Sequence, residues 1–160
     1  FALPACRRSG ADCDTYRDVY LDGNPDDDQF EGGDQGFNSV LEETLQYINS
    51  LASGFATHPE ALMAGQRKSE RDGILTFLWY TVRYLRMARL QYPEAYAHIR
   101  DDSCIRDLVL TLWGRAWLYL ELTKDIISLG INDEAIEARL LTPLFLQEIH
   151  ALRIANGCAQ

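Results

Sequence analysis

The chain lacks any uninterrupted apolar run of the roughly 18 residues that a membrane-crossing helix requires. Its most hydrophobic stretch, Gly73 to Tyr92, is broken by Arg83, Arg86 and Arg89, so no membrane span is expected. The histidines, His58, His98 and His150, are isolated, with no Glu-x-x-His or His-Glu-x-x-His spacing, which argues against a di-iron carboxylate bundle and against helix-borne zinc sites. No Cys-x-x-Cys occurs either, and with it go the usual marks of zinc ribbons, thioredoxin-like redox chemistry and c-type haem attachment. Neither Gly-x-Ser-x-Gly nor a Walker-type phosphate loop is present, so nucleophilic and nucleotide-dependent catalysis are unmarked. Pairs of carboxylates can be assembled by folding from almost any acidic chain, and they carry little weight here. Strand-like alternation, internal repeats and heptad arrays are also missing.

What remains is a helical signal on a chain large enough to bury a core: 160 residues, 47% of them hydrophobic, the size of a single domain. Ser39 and Glu42 have capping-box spacing, and Leu41, Leu45, Ile48, Leu51 and Phe55 then recur at helical intervals, predicting a helix over 39–54. Thr57 with Pro59 and Glu60 starts a short second helix through Leu62 and Met63, a connector ending near Gly65. Ser69 with Asp72 is expected to cap a long helix that Tyr92 and Pro93 stop, and a brief turn or helix follows over 94–99. Ser103 then caps a helix over 104–129 that ends at Gly130, and a last helix over 132–156 has a break where Thr142 precedes Pro143. The expected fold is an all-α, disulfide-stabilised bundle of about four main helices over 37–160, preceded by an irregular acidic segment over 1–36.

Cys104 and Cys158 each lie 27 residues from Ile131, so two helices folding back at Gly130 and Ile131 would bring them to the same end. That predicts a Cys104–Cys158 bridge, worth roughly 3 to 4 kcal/mol if unstrained, with Cys6 and Cys13 closing a short loop as the second pair. Two bridges, and a first residue that is Phe, point to a mature secreted or periplasmic protein.

Charge is unevenly spread: residues 11–45 hold eleven acids and one base, a local sum of −10, against +1 for the remainder. Between Asp22 and Gly36 the run is rich in Gly, Pro and Asp and reads as loop. Carboxylates and carbonyls on such a loop suit a hard cation, and Asp18, Asp22, Asn24, Asp26 and Asp28 are the candidate Ca²⁺ ligands. Neither register that can be tried completes an EF-hand pattern: from Asp22, Asp27 takes the place of the turn glycine and Gly33 that of the bidentate Glu. A solvated acidic loop, or one that steers a basic partner, is the alternative. Nucleic acid is not an expected partner, because the basic patch at Arg67, Lys68 and Arg71 is offset by Glu70 and Asp72 on an anionic chain.

Projected at 100° per residue, the helix after Ser69 gathers Ile74, Phe77, Leu78, Thr81, Val82, Leu85 and Ala88 into a core face. Its far side carries Trp79, Arg83, Arg86, Met87 and Leu90, residue types that favour protein interfaces. Either that face docks a partner or the helix is central and the face is covered by the first helix or by the N-terminal loop. Arg115 projects among apolar residues at the level of Glu148, which predicts an Arg115–Glu148 ion pair; the alternative is an arginine whose stem covers apolar neighbours while its head reaches water. Tyr80, Tyr84, Tyr92 and Tyr96 with Trp113 and Trp117 are candidates for an aromatic pocket taking a small hydrophobic ligand, or for ordinary packing. The functional expectation is a noncatalytic binding or accessory protein that engages a protein partner, with a ligand-binding bundle as the alternative and a carboxylate-dependent enzyme behind both.

Overall fold

The structure is a computed structural model that describes residues 36–57 and 68–158. The chain divides into two compact units, Phe1–Val40 and Leu41–Gln160, and the described helices belong to the second apart from the start of the first helix. Helix α1 is Gly36–Ala56, α2 Glu70–Gln91, α3 Pro93–Asp101 and α4 Ser103–Leu122; a single 3₁₀ turn, Ile127–Leu129, leads to α5, Asp133–Leu140, and α6, Pro143–Ala155. The described residues form six α-helices and no strand, an all-α fold. The helix number exceeds the expected four main helices because the brief turn or helix expected over 94–99 is the helix α3 and the last stretch is divided at Thr142 into α5 and α6.

Helix α2 is the hub. Every residue from Arg71 to Val82 is buried, so the helix is covered all round instead of along one stripe. It packs against α3, α5 and α6 and more lightly against α4, while α3 and α6 also meet α4. The expected core face is buried as read, with Ile74, Phe77, Val82 and Leu85 fully inaccessible. On α1, Leu41, Thr44, Ile48 and Leu51 are buried and Phe55 is exposed. The α1–α2 approach is close because residue 73 has no side chain: a Cβ there would lie 2.1 Å from the Tyr47 ring. Tyr47 then stacks on Phe77 with centroids 5.2 Å apart.

Three helix starts differ from the capping expectations. Helix α1 begins at Gly36, which places Ser39 inside it. Ser69 occupies the N-cap position of α2 but makes no side-chain capping bond. At α4 the cap is Asp102, whose carboxylate accepts the Ile105 N–H at 3.1 Å, and Ser103 is the first helical residue. The two prolines act as read: Pro93 and Pro143 each occupy the first turn of a helix, and Thr142 is held extended before Pro143. Pro143 therefore separates α5 from α6.

The expected Cys104–Cys158 bridge is not formed; both are exposed free thiols. The ends of α4 and α6 do meet, but through Arg106 Nε, which donates to Asn156 Oδ1 at 2.8 Å. Counting outward from Gly130 assumed two straight helices about one turn. The breaks at Thr123 and Leu141 each consume length and change direction, so mirror positions in sequence no longer coincide in space. Cys6 and Cys13, the five candidate Ca²⁺ ligands and the connector after Pro59 lie outside the described residues.

Candidate functional site

An extensively hydrogen-bonded polar group begins at the charged start of α2. Arg71 and Asp72 are nearly inaccessible, at 5% and 6% exposure, and each serves an opposite helix pole. Arg71 Nη1 donates to the Leu120 carbonyl at 2.6 Å and to Thr123 Oγ1 at 2.8 Å. In a continuing helix the Leu120 carbonyl would accept from Lys124; the guanidinium takes that acceptor and ends α4, favoured by the negative pole of the helix. Thr123 assists by donating its hydroxyl to the Tyr119 carbonyl at 2.7 Å. Asp72 does the reverse at the start of α5: its two oxygens accept the Ile131 and Asn132 N–H groups at 2.9 and 3.0 Å. Asp133 closes the group, accepting Arg71 Nε at 2.6 Å. A Cβ on residue 130 would lie 2.5 Å from its carboxylate, so any side chain there would push Asp133 out of place.

This clamp holds the segment between α4 and α5, which displays two isoleucines beside the exposed Lys124, Asp125 and Asn132. Ile127 is 80% exposed and Ile131 49% exposed. Both line a cleft of about 380 Å³ with Ile126, Ala135, Lys124 and Glu134. The turn is further tied down by the Lys68 N–H, which donates to the Ser128 carbonyl at 2.7 Å, and by Leu129, which is buried. Lys124 is engaged by Glu121, and that hydrogen bond raises its pKa.

A second buried charge group lies on the α2–α6 seam. Glu148 is fully buried and receives a two-pronged bond from Arg89, Nε to Oε2 at 2.9 Å and Nη2 to Oε1 at 2.8 Å, with Arg86 Nη1 3.7 Å from Oε1. The hydrogen bond to Glu148 holds the Arg89 guanidinium even further above its ordinary pKa. Tyr96, close by, has its phenol pushed up by burial first and by the Glu148 charge second. The predicted partner Arg115 is exposed on α4 and takes no part. Glu148 instead faces α2, the hub against which α6 packs.

The face read as a partner surface is partly covered from within. Trp79 is 8% exposed, meets Phe145 of α6 edge-on at 6.5 Å and carries the Arg83 guanidinium 4.4 Å over its ring. Arg86 points to Glu148, Met87 is half-buried, and only Leu90 is exposed. The helix is central, as the alternative reading held, but these contacts come from α6, where that reading named the first helix or the N-terminal loop. Of the aromatics, Tyr80 is in the core, Tyr92 is exposed, and Trp113 and Trp117 pair at 6.0 Å. Trp113 lines an open groove of about 460 Å³ between α4 and α6, with Asp107, Arg153 and Cys158. No group of three or more His, Cys, Asp and Glu able to hold a metal occurs among the described residues, and no helix among them is long and apolar enough to cross a membrane.

The residues that build the clamp were not singled out by sequence as a site. Arg71 and Asp72 read there as a weak surface patch; the available signal was an adjacent pair of opposite charges directly before the uncharged run Gly73 to Val82. Comparison of the chain with family models finds no match, and comparisons with curated proteins and with solved structures find none either.

Proposed function

We propose that this chain is a noncatalytic binding protein that docks a protein partner on the cleft beside Ile127. The supporting observation is that an isoleucine exposed over four-fifths of its surface sits on a turn fixed from beneath by Arg71, Asp72 and Asp133. A solvated loop has no need of apolar side chains, and ordering one against buried charges costs conformational entropy and desolvation. An apolar protrusion on a rigid base is the arrangement of an interface anchor. The buried charges of the clamp and of the α2–α6 seam point to structure in place of chemistry, since they are spent on one another.

On sequence grounds alone the proposal keeps a Ca²⁺ ion on Asp18, Asp22, Asn24, Asp26 and Asp28 and a secreted or periplasmic setting. The free Cys104 and Cys158 remove one of the two bridges behind that setting. The test is an Ile127→Asp, Ile131→Asp double variant compared with wild type as bait. A partner retained by wild type and lost by the variant, at unchanged helical content, supports docking here. Equal retention by both places the interface elsewhere.

A further inference from the structure

We infer that two copies of this chain associate through α4, antiparallel and centred on Thr111. The inference does not depend on the cleft beside Ile127. Helix α4 buries a single stripe, Val109, Leu112, Ala116 and Leu120. Its opposite side carries Asp107, Leu108, Thr111, Gly114, Arg115 and Leu118, all exposed, with Leu108 at 46% and Leu118 at 57%. Asp107 and Arg115 are the charges on that side, and neither forms an ion pair or a side-chain hydrogen bond among the described residues. Gly114 is an independent observation. Glycine weakens a helix interior, and at Gly73 that cost has a reason within the chain, the Tyr47 ring. A Cβ on Gly114 would meet nothing within 4 Å, so no contact within the chain calls for a glycine there. On an exposed helix face, a missing side chain lets a second helix approach closely.

Charge selects both the occupant and its direction. Asp107 lies four residues before Thr111 and Arg115 four after it. An antiparallel copy centred on Thr111 therefore brings each Asp107 level with the other copy's Arg115, twice over by symmetry. The same register sets Leu108 level with Gly114 and Cys104 level with Leu118 across the pair. The long stem of Arg115 can then cover the facing Leu108 while its head reaches Asp107. A parallel pair would set Asp107 against Asp107 and Arg115 against Arg115, which like-charge repulsion disfavours. The net charge of −9 does not oppose contact at this face, because the face itself sums to zero and residues 11–45 hold the acidic excess. One helix face is smaller than a standard stable interface, so the dimer is a weak one, with a Kd on the order of tens of micromolar.

The experiment is analytical ultracentrifugation of the full chain from micromolar to near-millimolar concentration. Wild type should pass from monomer to dimer over that range. Arg115→Asp and Asp107→Arg should each weaken self-association about tenfold or more. An equimolar mixture of these two variants should associate, since each copy then offers the charge that the other lacks, and the double exchange in one chain should restore the homodimer. Gly114→Leu should weaken association while leaving thermal stability equal or higher, because leucine favours the helix and its side chain enters open space. A chain that stays monomeric throughout overturns the inference. So does a dimer indifferent to both charge reversals, which places the contact on another face. A dimer that persists in non-reducing detergent is a disulfide adduct of the exposed thiols and overturns it as well. Association that the single variants lose and their mixture does not recover overturns the antiparallel register.

Discussion

Glu148 shows how a single residue is read rightly in kind and wrongly in partner. Its level along the last helix marked it as one half of an ion pair at a seam, and it is fully buried in one. The other half comes from α2, because α6 packs on the hub as well as on α4. Arg115, free to reach water, keeps its head exposed, the behaviour expected of a long basic side chain over apolar neighbours. Removing the charge of Glu148 leaves Arg89 and Arg86 facing a neutral acceptor. Their side chains are about one-third exposed, 34% and 28%, which softens the penalty of a fully buried broken pair. Glu148→Gln should therefore cost about 1 to 3 kcal/mol in chemical denaturation. A cycle with Arg89→Gln should show coupling of the same sign; strict additivity would mean that the two-pronged bond contributes nothing.

At the scale of elements, local rules were good for where helices exist and for proline boundaries, and poorer for caps. Pro93 and Pro143 act through their own ring and the residue before them, so their effect survives any tertiary setting. The Ser69 and Asp72 box did not form because Asp72 has better-placed donors across the chain, the N–H groups of Ile131 and Asn132. Likewise α4 stops at Leu122, seven residues short of the expected Leu129, since Arg71 occupies the Leu120 carbonyl. Nothing within the α4 sequence announces that competitor. The clamp gives an element-level prediction: Asp72→Ala leaves two backbone donors without their acceptor and should cost about 1 to 3 kcal/mol. Hydrogen exchange should quicken at Ile127 to Asp133 and remain unchanged in α6. Uniform loss of protection throughout, or none in the loop, would show that Asp72 does not hold the turn.

For the whole molecule, stability at high pH follows from two partly covered phenols. Burial raises the pKa of Tyr84 and of Tyr96 above their ordinary value. As pH climbs past about 10, the unfolded chain releases these protons while the folded chain still holds them, so folding stability falls with rising pH. The contribution is whole below the unfolded value and is lost through the folded ones. Urea midpoints should decline above pH ~10, and Tyr84→Phe with Tyr96→Phe should flatten that decline. An unchanged slope would assign alkaline unfolding to other groups.

By itself the sequence determined an all-α chain, the core face of α2, the proline-set boundaries and a strongly acidic character, all of which arise from interactions within a few residues or from composition. Which charges pair, where α4 ends, whether two thiols meet and which isoleucines face water were decided only by the tertiary structure. Those outcomes join groups about sixty positions apart, Arg71 with Asp133 and Arg89 with Glu148. Partners that distant are chosen by the topology that brings helices together, and the free energy of each pairing depends on burial that no local window contains.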